Sequence, residues 1–293
     1  MPPIVLYTPR DLVKKASTQA LYPAPTQGIE PPPSEKRVLV GRDHAYIYQP
    51  QDCVLSSVLL DAASTPVTRF PIQEPGNTFV YNGDRNLLAL ALGHPVVAQS
   101  FNIYYLHWDY NSTHCVQLKS HANYFITAAL RGCSIFVAGD PASPTVYHLN
   151  ANEVGADWDD KAAAQEEKIQ TMNSRFESTN QALGVSMEGM ASATMKDYMP
   201  DMLNDAGLAK LRQKHGVDGR KWYHVKANAF RSFWKVDQDE LLQFGTVFGV
   251  REQRKWAFYF QQRTRHDYEY KSWMSGRPRY AEWTVSCRKF WPA

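Results

Sequence analysis

The sequence predicts an α+β fold around a mixed or antiparallel sheet, on three observations. Strand-like segments come first, helical ones follow and strands return, with no regular βα alternation and no internal repeat. Phosphate-cradling signatures (GxxxxGK before Ser or Thr, and GxGxxG) are absent, so nothing marks a doubly wound nucleotide fold. Of the 293 residues 44% are hydrophobic and 13% aromatic, enough to bury a sizeable core.

Residues 1–35 hold eight prolines, including Pro31, Pro32 and Pro33, and read as an extended, poorly packed arm or linker. Residues 36–293 then form a single domain. "RVLVGRDHAYIYQ" alternates and is rich in β-branched and aromatic residues, so it reads as strand. Within it Arg42 to His44 suit a turn between strands, with a charged contact as the other reading. "NTFVYNGDRN" is a strand followed by an Asn-Gly turn. "LLALALGHP" is a short apolar helix or a buried strand, closed by Gly93 and Pro95, and "SFNIYYLHWDY" is another strand. The clearest helix runs from about Asp159 to Leu183, with acidic residues at its start, a mostly polar, solvated surface and Gly184 as its stop. "SATMKDYMPDMLNDAGLAKLRQKHG" reads as one or two short helices interrupted at Pro200 and Gly207, and the last 70 or so residues return to strand.

Between these lies "TAALRGCSIFVAGDPASPTVYHLN", residues 127–150. "CSIFVAGD" and "TVYHLN" are strand-like, and two prolines and a glycine between them signal a turn. An antiparallel pairing that sets Val137 opposite Pro144 sets Cys133 opposite His148, where thiol and imidazole share a face. A slip of one residue turns His148 to the other face. Two readings stand. In one, Cys133 is a nucleophile whose thiolate His148 favours, and His148 later protonates the leaving group. Gly132 gives the backbone room to approach a carbonyl, the amides of Cys133 and Ser134 form an oxyanion hole, and Thr127 offers its hydroxyl or carbonyl to the far ring nitrogen. In the other, the thiol fills the core and a backbone group satisfies the histidine.

Other candidates are weaker. His107, Asp109, His114, Cys115 and His121 are metal-ligand types in a spacing that fits no zinc pattern, so no metal is expected; His107 or His121 still suit a cleft wall. Cys53, Cys115 and Cys287 lack the glycine-plus-histidine setting and read as structural thiols. Four scattered cysteines without a CxxC pair argue for reduced thiols. The formal net charge is +3, yet from Leu208 onward 18 Lys and Arg face 8 Asp and Glu, alongside six of the eight tryptophans. That third suits nucleic acid, an acidic partner or a membrane face, or simply strands with basic outer residues. Trp222, Trp234 and Trp256 read as sheet-packing residues. No apolar run is long enough to span a bilayer, and the amino terminus lacks the features of a signal peptide.

Thr127, then Leu130-x-Gly132-Cys133-Ser134, then a histidine fifteen residues after the cysteine, resembles the motif of the glutamine deamidases. These are the group of the cytotoxic necrotizing factor toxins, the Burkholderia lethal factor and the chemotaxis-receptor deamidases. The match covers about 22 residues, and Arg131 stands where the toxins usually have serine. Several members place a threonine six residues before the cysteine; in the necrotizing factors a backbone carbonyl of another residue does that work. The resemblance implies two packed, mixed β-sheets flanked by helices, with the cysteine at the mouth of a cleft. It implies a bacterial toxin or effector, secreted or translocated, that converts a glutamine of a host protein to glutamate in the target-cell cytoplasm. Cys133, His148 and Thr127 are then catalytic, and Gly132, Cys133 and Ser134 supply the oxyanion hole. No cofactor is expected, and the chain is expected to be a monomer. The same site also suits a thiol protease or transglutaminase, and the basic final third a non-catalytic binding module.

Overall fold

The computed structural model describes residues 3–4, 6, 8–25, 31–40, 43–61, 72–74, 77–79, 87–93, 98–151, 161–199, 222–224, 233–271 and 279–292. Among them the chain is α+β, with two mixed sheets and few helices. It opens with β1 (Pro3–Ile4), α1 (Pro9–Ala16), β2 (Ala20–Pro25), β3 (Ser34–Val40), β4 (Asp43–Tyr48), a 3-10 turn at Pro50–Cys53 and β5 (Val54–Asp61). A small hairpin, β6 (Ile72–Glu74) and β7 (Asn77–Phe79), is followed by β8 (Leu87–Leu92), β9 (Phe101–Leu106), β10 (Thr113–Gln117) and β11 (Tyr124–Thr127). Then come β12 (Ser134–Ala138), β13 (Thr145–Leu149), α2 (Lys161–Leu183), β14 (Ala191–Ala193) and α3 (Met195–Tyr198). β15 (Trp222–His224), β16 (Phe233–Glu252), β17 (Lys255–Lys271) and β18 (Arg279–Trp291) complete the chain.

The larger sheet runs β18-β17-β16-β11-β9-β5-β8-β2, with β1 on β5 and β15 on β16; the smaller runs β14-β12-β13-β10-β4-β3. Parallel pairs (β2 with β8, β9 with β11, β4 with β10) sit among antiparallel ones, which makes both sheets mixed. Apolar residues of both meet in one core: Leu106, Phe125, Val247 and Phe258 from the larger sheet, Val116, Ile135 and Val146 from the smaller. "LLALAL" is the buried strand β8, because flanking strands cover its backbone and Leu88, Leu90 and Leu92 are fully buried.

α2 closes the outer face of the smaller sheet. Phe176 stacks on Phe136 at 4.3 Å and meets Tyr147 edge-on at 5.0 Å, while Met172 is fully buried. The mostly polar helix therefore carries an apolar stripe, and each such side chain stabilises the fold by roughly 1.5–3 kcal/mol. The expected acidic start of this helix and the helical stretch after Pro200 lie outside the described residues, as does the Asn-Gly turn at 82–83.

The proline-rich amino terminus departs from expectation. Instead of an unpacked arm, residues 9–25 supply α1 and β2, with Leu12, Ala16 and Leu21 fully buried. The prolines sit where they do no harm: Pro9 in the first turn of α1, Pro23 and Pro25 in β2, the outermost strand of its sheet. Gln261 ties this segment down, accepting from the Leu21 amide (2.9 Å) and donating to the Ala16 (2.5 Å) and Gln19 (2.9 Å) carbonyls. Among the described residues no helix is long and apolar enough to cross a membrane.

Candidate active site at the seam between the sheets

The motif Leu130-x-Gly132-Cys133-Ser134 is the point where the chain leaves one sheet for the other. Leu130 makes an isolated bridge to Gly245 of β16, its amide donating at 2.7 Å and its carbonyl accepting at 3.0 Å. Four residues later Ser134 opens β12 of the smaller sheet. Gly132 turns the corner with φ +102°, a conformation L side chains rarely adopt.

Tyr198 of α3 clamps this corner. The Gly132 amide donates to its phenolic oxygen (2.8 Å), and the hydroxyl donates to the Cys133 carbonyl (2.8 Å). The ring is fully buried over Gly245, where an added Cβ would come within 2.9 Å of it. α3 itself starts at a capping box between Thr194 and Asp197. The Gly132 amide, one of the expected oxyanion donors, is thus committed to Tyr198.

The hairpin pairs Ile135 with His148 and Ala138 with Thr145. This register lies two residues from the expected one. Pro144 has no N–H to give the ladder, so it stays in the turn and its carbonyl accepts from the Leu118 amide instead (2.8 Å). A shift of two preserves the face. Cys133 lies just before β12, two residues ahead of the Ile135 that pairs with His148.

Both side chains are buried, Cys133 at 3% exposure and His148 at 0%. Gly132 is half-buried and Arg131 exposed, so the chain surfaces one residue before the thiol. A pocket of about 400 Å³ lies at the opposite end of the hairpin, lined by Gly139, Asp140, Pro141 and Trp291 among others. Burial pushes the Cys133 thiol up to about 12, while the Lys168 ammonium and the Arg131 amide act the other way. Burial lowers His148 to about 3, helped by the neighbouring His114; the Leu106 carbonyl opposes this. At neutral pH the resting pair is thiol and neutral imidazole.

No hydrogen bond of ordinary geometry reaches either ring nitrogen of His148, and the polar group that favours its protonated form is the Leu106 carbonyl at the end of β9. The Thr127 hydroxyl donates to the Ala128 carbonyl (2.9 Å) and accepts from the Val247 amide (3.3 Å), the second bond joining β11 to β16.

His114 stands opposite His148 across β10 and β13. Tyr46 and Tyr48 stack on its ring, Tyr48 Oη lies 2.5 Å from its Nδ1 and Ser112 Oγ 2.8 Å from its Nε2. The Ser112 hydroxyl spends its proton on the Asp109 carbonyl (2.9 Å), so Nε2–H donates to serine and Tyr48 donates to Nδ1. Burial holds His114 down at about 4, in keeping with this neutral tautomer. Its neighbour Cys115 faces Tyr147 on the other side of the strand, and His121 bonds Tyr104 (3.0 Å). Among the described residues no group of three or more His, Cys, Asp or Glu side chains converges as a metal site would require.

Sequence reasoning named Cys133, His148, Gly132 and Ser134 but not the groups that meet them. The Leu106 carbonyl is a backbone atom with no side-chain signature, and Tyr198 is 65 residues from the cysteine it clamps. His114 was visible only as a metal-ligand type.

No protein-family profile and no curated protein matches this chain. Among solved structures, the C-terminal domain of CNFy from Yersinia pseudotuberculosis aligns with a TM-score of 0.26 and 9% identity. The alignment covers 64% of this chain and 62% of that one.

Proposed function

We propose that this protein is a cysteine-dependent protein-glutamine deamidase, a bacterial toxin or effector acting on a host protein in the target-cell cytoplasm. The motif's resemblance to the deamidases suggests the reaction. What supports it is that Cys133 stands at the crossover between the sheets, next to the strand that pairs with the buried His148, whose protonation a backbone carbonyl favours. That carbonyl belongs to Leu106, and it takes the orienting role first expected of Thr127; Thr127 braces the strand beneath.

His148 takes the thiol proton, and the Cys133 sulfur attacks the carboxamide carbon of the substrate glutamine. The Cys133 and Ser134 amides stabilise the oxyanion. The C–N bond breaks as His148 returns its proton to departing ammonia, leaving a glutamyl thioester. Water, deprotonated by the same imidazole, then releases glutamate and restores the thiol. A primary amine in place of water would make the enzyme a transglutaminase. No step needs a cofactor, and a monomer carries every group named.

The test is incubation with host-cell lysate, compared with Cys133→Ala by site-resolved mass spectrometry. Gln-to-Glu conversion confined to the intact thiol is the expected result. Backbone cleavage instead would make the protein a thiol protease; identical lysates would remove the enzyme reading.

A further inference from the structure

A buried thiol held as high as Cys133 is a poor nucleophile unless a positive charge favours its thiolate. His148 does not supply one at rest, because its imidazole is neutral. α2 brings another candidate. Lys168 Nζ lies 3.3 Å from the place a Cβ would occupy on Gly132, and Lys168 Cε lies 4.0 Å from it. The ammonium thus rests against the residue immediately before the nucleophile, where an added Cβ would press on it. Lys168 is half-buried, and among the described residues it makes no ion pair. Nearby charges are already engaged: Glu166 with Lys196 (2.6 Å), Asp197 with Arg288 (2.7 Å). The Arg131 guanidinium, on the nucleophile's own turn, lies over the Phe244 ring at 5.9 Å.

We infer that Lys168 is the electrostatic positioning residue of this site: from α2 its fixed ammonium stabilises the Cys133 thiolate and covers the approach to the sulfur over Gly132. This rests on the deamidase reading for its purpose but not for its measurement. The lysine gives up no proton. The thiol proton goes to His148, and Lys168 lowers the energy of the charge left on sulfur. Among the described residues the ionisable groups that act on that sulfur are Lys168 from α2 and Tyr198 from α3, while Arg131 acts through its backbone amide; His148 on β13 pairs with Ile135, two residues on. Tyr198 is held well above its ordinary range by burial and stays neutral, so it adds no positive charge.

The experiment follows alkylation of Cys133 by iodoacetamide against pH, read on the Cys133 peptide by mass spectrometry so that other thiols do not interfere. Lys168→Met should raise the apparent thiol pKa by about one unit, slowing alkylation near neutral pH about tenfold. Lys168→Arg should keep most of the wild-type profile, and His148→Ala should leave it unmoved while abolishing deamidation. Should the Lys168 variants fold poorly, the unaltered protein gives the same answer. Raising salt from about 0.01 M to about 1 M shortens the screening length from about 30 Å to about 3 Å and should raise the thiol pKa. A Lys168→Met profile equal to wild type, an Arg variant as slow as the Met variant, or a salt-independent pKa overturns the assignment. Absence of Gln-to-Glu conversion beside a shifted Lys168→Met profile would overturn deamidation and leave the role of Lys168 standing.

Discussion

Two buried polar side chains, Gln261 beneath the amino-terminal segment and His148 at the seam between the sheets, are treated in opposite ways. Gln261 is fully buried and makes three hydrogen bonds that lock α1 and β2 onto β17. His148 is equally buried, yet neither ring nitrogen has a hydrogen bond of ordinary geometry. A buried polar group left short of partners destabilises the fold, by roughly 1–3 kcal/mol. The first arrangement is what a fold does to hold itself together. The second fits the proposed role of His148, a side chain that exchanges a proton with a thiol.

The contrast is sharpest in substitutions to leucine. His148→Leu should reduce deamidation by about a thousandfold or more while leaving thermal stability unchanged or raised. Activity assays on lysate substrate and a melt of the same sample check both halves. A large loss of stability in His148→Leu would show that the imidazole serves the core instead.

Acid should expose the same difference. His148 and His114 titrate in the folded protein at about 3 and about 4, below the ordinary 6.5. Between those limits the unfolded chain holds more protons than the folded one, so stability is present above 6.5 and is lost as pH falls toward 4. Unfolding near pH 5 should take up about two protons from these two histidines. Denaturant titrations at stepped pH, repeated with His148→Leu, should show the uptake reduced by about one.

Gln261→Leu should behave in the reverse manner. It strands the Leu21 amide and the Ala16 and Gln19 carbonyls, at a loss of about 3 kcal/mol, with activity per folded molecule retained. Denaturant midpoint and specific activity measured together decide the matter. A fully stable Gln261→Leu would erase the distinction between the two regions.

Tyr198→Phe is the smallest change proposed, one hydroxyl removed from the clamp on Gly132 and Cys133. It should lower stability by about 1–2 kcal/mol and kcat about tenfold, with KM little altered because the nucleophile is misplaced and not the substrate. A variant with unchanged kcat would reduce Tyr198 to a packing residue.

The hairpin shows how far residues alone could lead. Two prolines and a glycine announced the turn, and alternation announced the strands, because both signals are local backbone chemistry. The pairing register was misjudged by two, since it depends on Pro144 remaining in the turn and bonding Leu118 through its carbonyl. The error did not change which strands pair, and a shift of two preserves strand parity within the ladder. For the amino terminus, proline count suggested an arm, and a distant glutamine on β17 made it part of the core.

The order of strands and helices, the turn at Gly139–Pro144 and the antiparallel hairpin it joins follow from the sequence by itself, since backbone preference and side-chain alternation act over a few residues. The Leu106 carbonyl near His148, the Tyr198 clamp, the ammonium of Lys168 over Gly132 and the burial that separates the two pKa values were decided only by the tertiary structure. Each depends on groups tens of residues apart being brought together, and on how much water is excluded when they meet.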